Sequence, residues 1–444
     1  MNNAIGRYRW TICGLVFFAT TINYLDRVVI SLLKGDLEKD FNWTETDYAN
    51  LVVVFQLAYA FGMLGVGRLV DKFGTKIGYT ISLTAWSIVG VLTAFAKTTF
   101  GFGIARAALG LSEAGNFPSA IKTIAEWFPK KERALATGIF NSGTNVGAIL
   151  APLTVPFIAE FWGWQWAFIL TGATGFIWLV LWLTMYDTPA RHKNVTPEEL
   201  AYINSDQDEQ VVEEASGEKV SWFKLLTFRQ TWAFVLGKML TDPIWWFYLF
   251  WLPAFLKAEY GLGGMEAAVP VAIVYTIASV GSIFGGWLPL NFIRNGMPVF
   301  RARKTAMLIY AVSAVPVIFA QYLGSMGLWL AILSIGLATS AHQAWSANIF
   351  TTVSDMFPKK AVGSVTGIGG MAGGLGGMAI SSLAGKLFDH YKALGHIETG
   401  YYIMFLICGF GYLLAWTIMH LLVPKYKMVE LSSQNEPVKG SPVV

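Results

Sequence analysis

The sequence predicts an all-α membrane protein: twelve transmembrane helices in two pseudo-symmetric six-helix bundles. Three observations carry that prediction. The 444-residue chain is 55% hydrophobic and only 14% charged, with a mean hydropathy of +0.50, which excludes an ordinary soluble globule. Its apolar residues gather in twelve runs near the roughly twenty residues a helix needs to span a bilayer, whereas spanning strands would alternate in pieces of about ten. Finally, EWFPKKERALATG from Glu126 recurs as DMFPKKAVGSVTG from Asp355. Phe128, Pro129, Lys130, Lys131, Thr137 and Gly138 return as Phe357, Pro358, Lys359, Lys360, Thr366 and Gly367 at a constant offset. Each copy lies between the fourth and fifth runs of its half, as two homologous bundles require.

The twelve runs are approximately 10–33, 49–69, 77–96, 100–120, 134–159, 164–186, 231–256, 267–292, 306–323, 328–353, 362–388 and 401–423. They divide the chain into an N-terminal bundle at 1–190, a linker at 191–230, a C-terminal bundle at 231–424 and a tail at 425–444. Span 1 follows Arg7 and Arg9, exceeds a signal-peptide core and lacks a small-residue cleavage pattern, so it reads as an uncleaved first helix. Placing the N-terminus in the cytoplasm puts most of the 32 Lys and Arg in inner segments, which satisfies the positive-inside rule and predicts two cytoplasmic termini. Cys13 and Cys408, in the first and last spans, offer no disulfide framework.

Span 1 carries Asp26 and Arg27, and span 4 carries Arg106 and Glu113. A charge at membrane depth costs at least about 2.5–3.5 kcal/mol, so it persists where it faces a bundle interior or an aqueous cavity. Arg106 and Glu113 are seven residues apart, on one face and roughly 10 Å apart along the axis. Asp26 lies about 24 Å from the inner start of span 1 and Arg106 about 9 Å from the outer start of span 4, so both arginines reach similar depths. These four residues either clamp helices together or form one buried site. Four ionisable groups favour the site.

Between spans 1 and 2, KGDLEKDFNWTETD reads as an acidic outer loop, and its sequon at Asn42 carries no functional weight. Span 2 ends in GRLVDKFGTK, with Asp71, Lys72 and Lys76 in a tight inner turn, where they serve gating or structure. Span 5 offers Asn141, Thr144 and Asn145, to bond a hydroxylated ligand or a neighbouring helix. In the linker, Thr196-Pro197-Glu198-Glu199 reads as a helix start, and 221–228 as a surface segment.

Span 7 carries Lys238 and Asp242, four apart and thus a same-face pair beside Pro243, read as a structural or gating ion pair. Trp245, Trp246 and Tyr248 follow, either packed or stacked on a sugar ring. Span 10 holds His342, Gln343 and Asn348, with the histidine read first as a satisfied interior group. Gly369, Gly373 and Gly377 of span 11 form a small-residue stripe for close packing or bending.

Two arginines in a cavity bind an anion, because each guanidinium presents a planar fork to carboxylate oxygens and stays charged. Asp26 and Glu113 compete there as internal counter-ions. A proton on either frees an arginine for substrate, which couples anion binding to proton binding. No Walker A pattern, metal-ligand cluster or nucleophile motif appears, so neither an enzyme nor a cofactor, metal or nucleic-acid partner is expected.

GRLVDKFGTK resembles the loop signature of the major facilitator superfamily. With the Asp-Arg pair of span 1, the arginine and glutamate of span 4, EWFPKKERA, TDPIWWFYLFWLP and AHQ, the chain resembles that superfamily's anion:cation symporters, specifically hexuronate carriers. The resemblance implies proton-driven uptake of glucuronate or galacturonate by alternating access across a bacterial inner membrane. It implies Arg27 and Arg106 on the carboxylate, and Glu113, with Asp26 the weaker candidate, handling the proton. Tyr59 matches a cavity tyrosine of the family. Tyr24, Tyr59, Asn141, Thr144, Trp246, His342, Gln343 and Asn348 complete the candidate substrate set. Thr144 and Gly370 stand where aldonate carriers are expected to have glutamine and asparagine, which favours hexuronate over galactonate. An aldonate or glucarate-like symporter, or an organic-anion exchanger or uniporter, is the alternative. The expected partners are a sugar-acid anion, protons and the bilayer, and the expected state is a monomer.

Overall fold

A computed structural model describes residues 6–205, 222–357, 359–425, 427 and 429. Helix α1 (Tyr8–Leu32) leads through short α2 (Lys34–Phe41) into α3 (Glu45–Phe73) and α4 (Thr75–Thr93). The fourth span is two helices, α5 (Thr99–Glu113) and α6 (Asn116–Trp127), followed by α7 (Lys130–Trp162) and α8 (Trp164–Met185). The linker contributes α9 (Pro197–Ile203) and α10 (Trp222–Leu225). The second half runs through α11 (Arg229–Tyr260), α12 (Met265–Arg294), α13 (Val299–Ala314), α14 (Ala320–Met326), α15 (Leu328–Met356), α16 (Lys359–Ala393) and α17 (Ile397–Leu422). A 3-10 segment at Pro316 joins α13 to α14, which together make the ninth span. Six segments among the described residues are long and apolar enough to cross a membrane by themselves; the two helices of the fourth span, of 15 and 12 residues, are each too short.

Within the first bundle α1 packs on α7 and α8, α3 on α5, and α4 on α8; within the second α12 packs on α15, and α11 on α16 and α17. The bundles meet along three seams, α3 with α16, α7 with α12, and α1 with α11. Large apolar side chains such as Phe61, Phe100, Ile177, Ile283 and Leu421 cover the outer surface. There they face lipid, which costs nothing to contact.

At the face opposite the termini α3 and α16 are joined by direct contacts. Asp389, near the end of α16, accepts hydrogen bonds from the backbone N–H groups of Glu45 and Thr46, both 2.8 Å. A carboxylate there satisfies two of the unpaired donors that begin any helix and complements the dipole of α3. The Tyr48 hydroxyl donates to the Phe250 carbonyl (2.8 Å), again between bundles. Gly385 lies against the first turn of α3, where any side chain would strike Ala49 and the Glu45 carbonyl. Nearer the termini, a side chain at Gly65, Gly367 or Gly370 would meet open space.

Two local features differ from the sequence reading. The acidic stretch after span 1 is helical: Leu37 is buried, and Lys34 bridges Glu38 (2.5 Å) and Glu45 (2.9 Å). Burial alone would lower the Lys34 pKa, but Glu45 and Glu38 outweigh it and raise it. The fourth span breaks after Glu113 because Gly115 packs on Ser82, while Asn116 restarts the helix by accepting from the Tyr79 hydroxyl (2.6 Å) and donating to Thr20 (3.3 Å).

In the linker, Thr196 caps α9 with Pro197 in its first turn, as its sequence requires. Glu199 is fully buried and accepts from the Tyr8 and Arg9 backbone amides and from the Arg9 guanidinium (3.2 Å). Arg9 also holds Glu132 at 2.9 Å. Glu199→Ala would strand two helix-end donors and half of the arginine's pairing, so it is expected to destabilise the fold by about 3 kcal/mol. Thermal unfolding in detergent reads this directly; an unchanged midpoint would deny the linker any role in anchoring α1.

Candidate anion-binding site

Near the end of α1, Arg27 points into the seam between bundles. Its Nε donates to Glu113 Oε2 at 2.9 Å, with the two side chains 2% and 0% exposed. Its Nη2 donates to Asn23 at 3.2 Å. Four rings surround the guanidinium: Tyr24 (4.5 Å), Tyr59 (4.7 Å), Phe55 (5.4 Å) and, from the other bundle, Trp246 (5.6 Å). Such faces hold a cation without neutralising it.

Arg106 is placed differently. It is 1% exposed, yet Nε, Nη1 and Nη2 all lack a hydrogen-bond partner among the described residues. Its guanidinium lies against two aromatic rings, Phe55 at 4.3 Å and Phe250 at 5.9 Å, within electrostatic reach of Glu113. A buried guanidinium with five idle donors is costly to fold, and it marks a place prepared for an anion. Glu113 keeps one oxygen unpartnered as well.

The other predicted residues are placed variously. Tyr24, Tyr59 and Trp246 join the arginines. Asp26, about 100° around the helix from Arg27, is buried with neither carboxylate oxygen hydrogen-bonded among the described residues, near Thr171 of α8 and within electrostatic reach of Glu113. Gln343 donates to Asn145 at 2.9 Å and so ties α15 to α7 across the seam. Asn141 is exposed and its carbonyl accepts from Thr144 at 2.8 Å. His342 stays inside the C-terminal bundle, sharing a hydrogen bond of 2.6 Å with Tyr412 and stacking on Trp245 at 5.0 Å. Asn348 is there too, donating to the Gly285 and Ala344 carbonyls at 2.6 and 2.9 Å. Lys238 and Asp242 pair at 2.7 Å, and Lys76 reaches Asp187 at 3.8 Å. The side chains of Asp71 and Lys72 lie outside the described residues.

Sequence reasoning passed over Phe55 and Phe250, which bracket Arg106. A periodic signal was present for both: Phe55 precedes Tyr59 by four residues and Phe250 follows Trp246 by four, so each shares a face with a recognised site residue.

The sequence profile of the Major Facilitator Superfamily matches residues 16–381. The chain belongs to the major facilitator superfamily. It is 31% identical over 420 residues to the hexuronate transporter of Escherichia coli K12, covering 93% of this chain and 94% of that one. It is 33% identical over 284 residues to the galacturonate transporter of Dickeya chrysanthemi, 64% of this chain and 82% of that one. Among solved structures, a D-xylose–proton symporter superposes with a TM-score of 0.73 at 18% identity, over 95% of this chain and 100% of that one. A bacterial homolog of the human lysosomal transporter Spinster, inward-facing and unoccupied, gives 0.74 at 18% identity, over 94% and 98%. This major facilitator is therefore a multi-pass membrane transporter and not an enzyme.

Proposed function

We propose that this protein is a proton-coupled symporter that brings a hexuronate, glucuronate or galacturonate, into the cell by alternating access. The observation that carries the reading is the sealed, partnerless guanidinium of Arg106 beside the Arg27–Glu113 pair. A sugar-acid carboxylate supplies the acceptors Arg106 lacks. Protonation of Glu113 removes the counter-ion of Arg27, and that second fork then turns to the same carboxylate. Substrate and proton thus stabilise one another's binding. Trp246, Tyr24 and Tyr59 offer flat faces to the sugar ring. The names of the relatives above agree with such a cargo.

With both termini in the cytoplasm of a bacterial inner-membrane protein, the face where Asp389 meets α3 is external. The bundles at 1–190 and 231–424 rock about the site, tethered by the linker at 191–230, and one chain supplies a complete site.

Uptake of labelled glucuronate into proteoliposomes tests this, with and without an inward proton gradient and with internal glucuronate for exchange. In Glu113→Gln, gradient-driven uptake is expected to vanish while exchange persists. Wild-type movement indifferent to the gradient would overturn symport and leave exchange or facilitated diffusion. No movement at all would overturn the substrate.

A further inference from the structure

Along α11, Phe250 and Trp246 reach across the seam, and Asp242 and Lys238 follow at four-residue steps toward the termini. Phe250 lies on Arg106 and Trp246 on Arg27, so Asp242 comes next, one turn of about 5.4 Å nearer the termini. Both arginines therefore sit at one end of the site and the first charged group at the other end is a carboxylate. Tyr24, beside Arg27, lies within the electrostatic reach of Glu113 and of Asp242 across the seam.

The Lys238 ammonium is already engaged. It is buried, pairs with Asp242 at 2.7 Å and lies 4.3 Å from the Phe350 ring, whereas the Asp242 side chain is 20% exposed. Opposite it, Gly373 leaves room for this carboxylate; a methyl there would collide with Oδ2. The far end of the site thus accepts hydrogen bonds. A hydroxyl of a sugar acid can donate to it, while a second carboxylate would meet like charge in a desolvated place.

We infer that Asp242 restricts this transporter to sugar acids with one carboxylate, rejecting aldarates that carry one at each end. The inference rests on the proposed sugar-acid reading and narrows it. One curated relative, 28% identical over 393 residues, is a probable galactarate/D-glucarate transporter of Escherichia coli K12, so charge at the second end is a choice this family has to make.

The test is competition in proteoliposomes. Unlabelled glucuronate and glucarate are compared as inhibitors of labelled glucuronate exchange, and the ratio of their inhibition constants is read. In the wild type glucarate is expected to be at least about tenfold weaker, the equivalent of 1.4 kcal/mol. Asp242→Asn is expected to lower the ratio about tenfold by removing the repulsion and releasing Lys238. Lys238→Gln is expected to raise it by unmasking the aspartate. Opposite shifts from neighbouring positions are not a folding defect. If either variant stops transporting, the same ratio is taken from ligand-induced change in tryptophan fluorescence. Equal wild-type inhibition by the two acids, or a ratio unmoved in both variants, would overturn the inference alone. Failure of the wild type to move or bind glucuronate would overturn the parent reading.

Discussion

Arg106→Met is expected to raise the melting temperature of the ligand-free protein and at the same time to abolish uptake. The two effects have one cause. In the empty site the guanidinium is buried without a hydrogen-bond partner, and the rings of Phe55 and Phe250 repay only part of its lost hydration. Methionine fills similar space with no charge, so the apo state should gain roughly 1–4 kcal/mol, the range seen when buried ions give way to apolar side chains. Substrate then loses a bidentate partner, worth about 2–5 kcal/mol at a buried charge pair, so uptake should fall by about a hundredfold or more. Arg27→Met provides the contrast: it strands Glu113 as an unpaired buried carboxylate and should lower the melting temperature. Thermal unfolding beside transport, for both variants, reads the signs. An Arg106→Met protein that melts earlier and still transports would remove Arg106 from the site.

The second large effect is conformational. Gly385→Leu is expected to hold the face opposite the termini open, because the new side chain would occupy the space of Ala49 and the Glu45 carbonyl. Overpacking a tight contact typically costs about 1–3 kcal/mol, and here it penalises only the state in which the face is shut. Spin labels placed across that face should report longer distances, and uptake should fall because the cycle can no longer return through the closed form. Distances unchanged from the wild type would mean that this seam is not what closes the face.

The helical, multi-span fold was legible because bilayer thickness imposes a length that apolar runs repeat along the chain. Two arginines and a glutamate at membrane depth were legible as a cluster, and the structure does bring Arg27 and Glu113 together. Which groups meet was less accessible. Depth along a helix follows from residue number, but rotation about the axis does not, so Asp26 and Arg27 shared a depth while lying near Thr171 of α8 and in the seam respectively. The break after Glu113 is set by Gly115 against Ser82 and by Asn116 against Tyr79 and Thr20, all contacts with other helices. The helix in the acidic segment escaped notice because its polarity reads as loop, while its order comes from Leu37 and the Lys34 ion pairs. Three polar candidates of span 10 looked alike in the sequence. Only their partners separate Gln343, at the seam, from His342 and Asn348 within the bundle.

One of the contacts across the far face is written in side-chain atoms on one side and in main-chain atoms on the other. Asp389 grips the amides of residues 45 and 46, and every residue except proline brings an identical amide. Heritable change at position 46 therefore leaves the grip intact, whereas change at 389 dissolves it. The vulnerability of this contact is one-sided: a single codon on α16 carries a hold whose other half is guaranteed by the backbone itself.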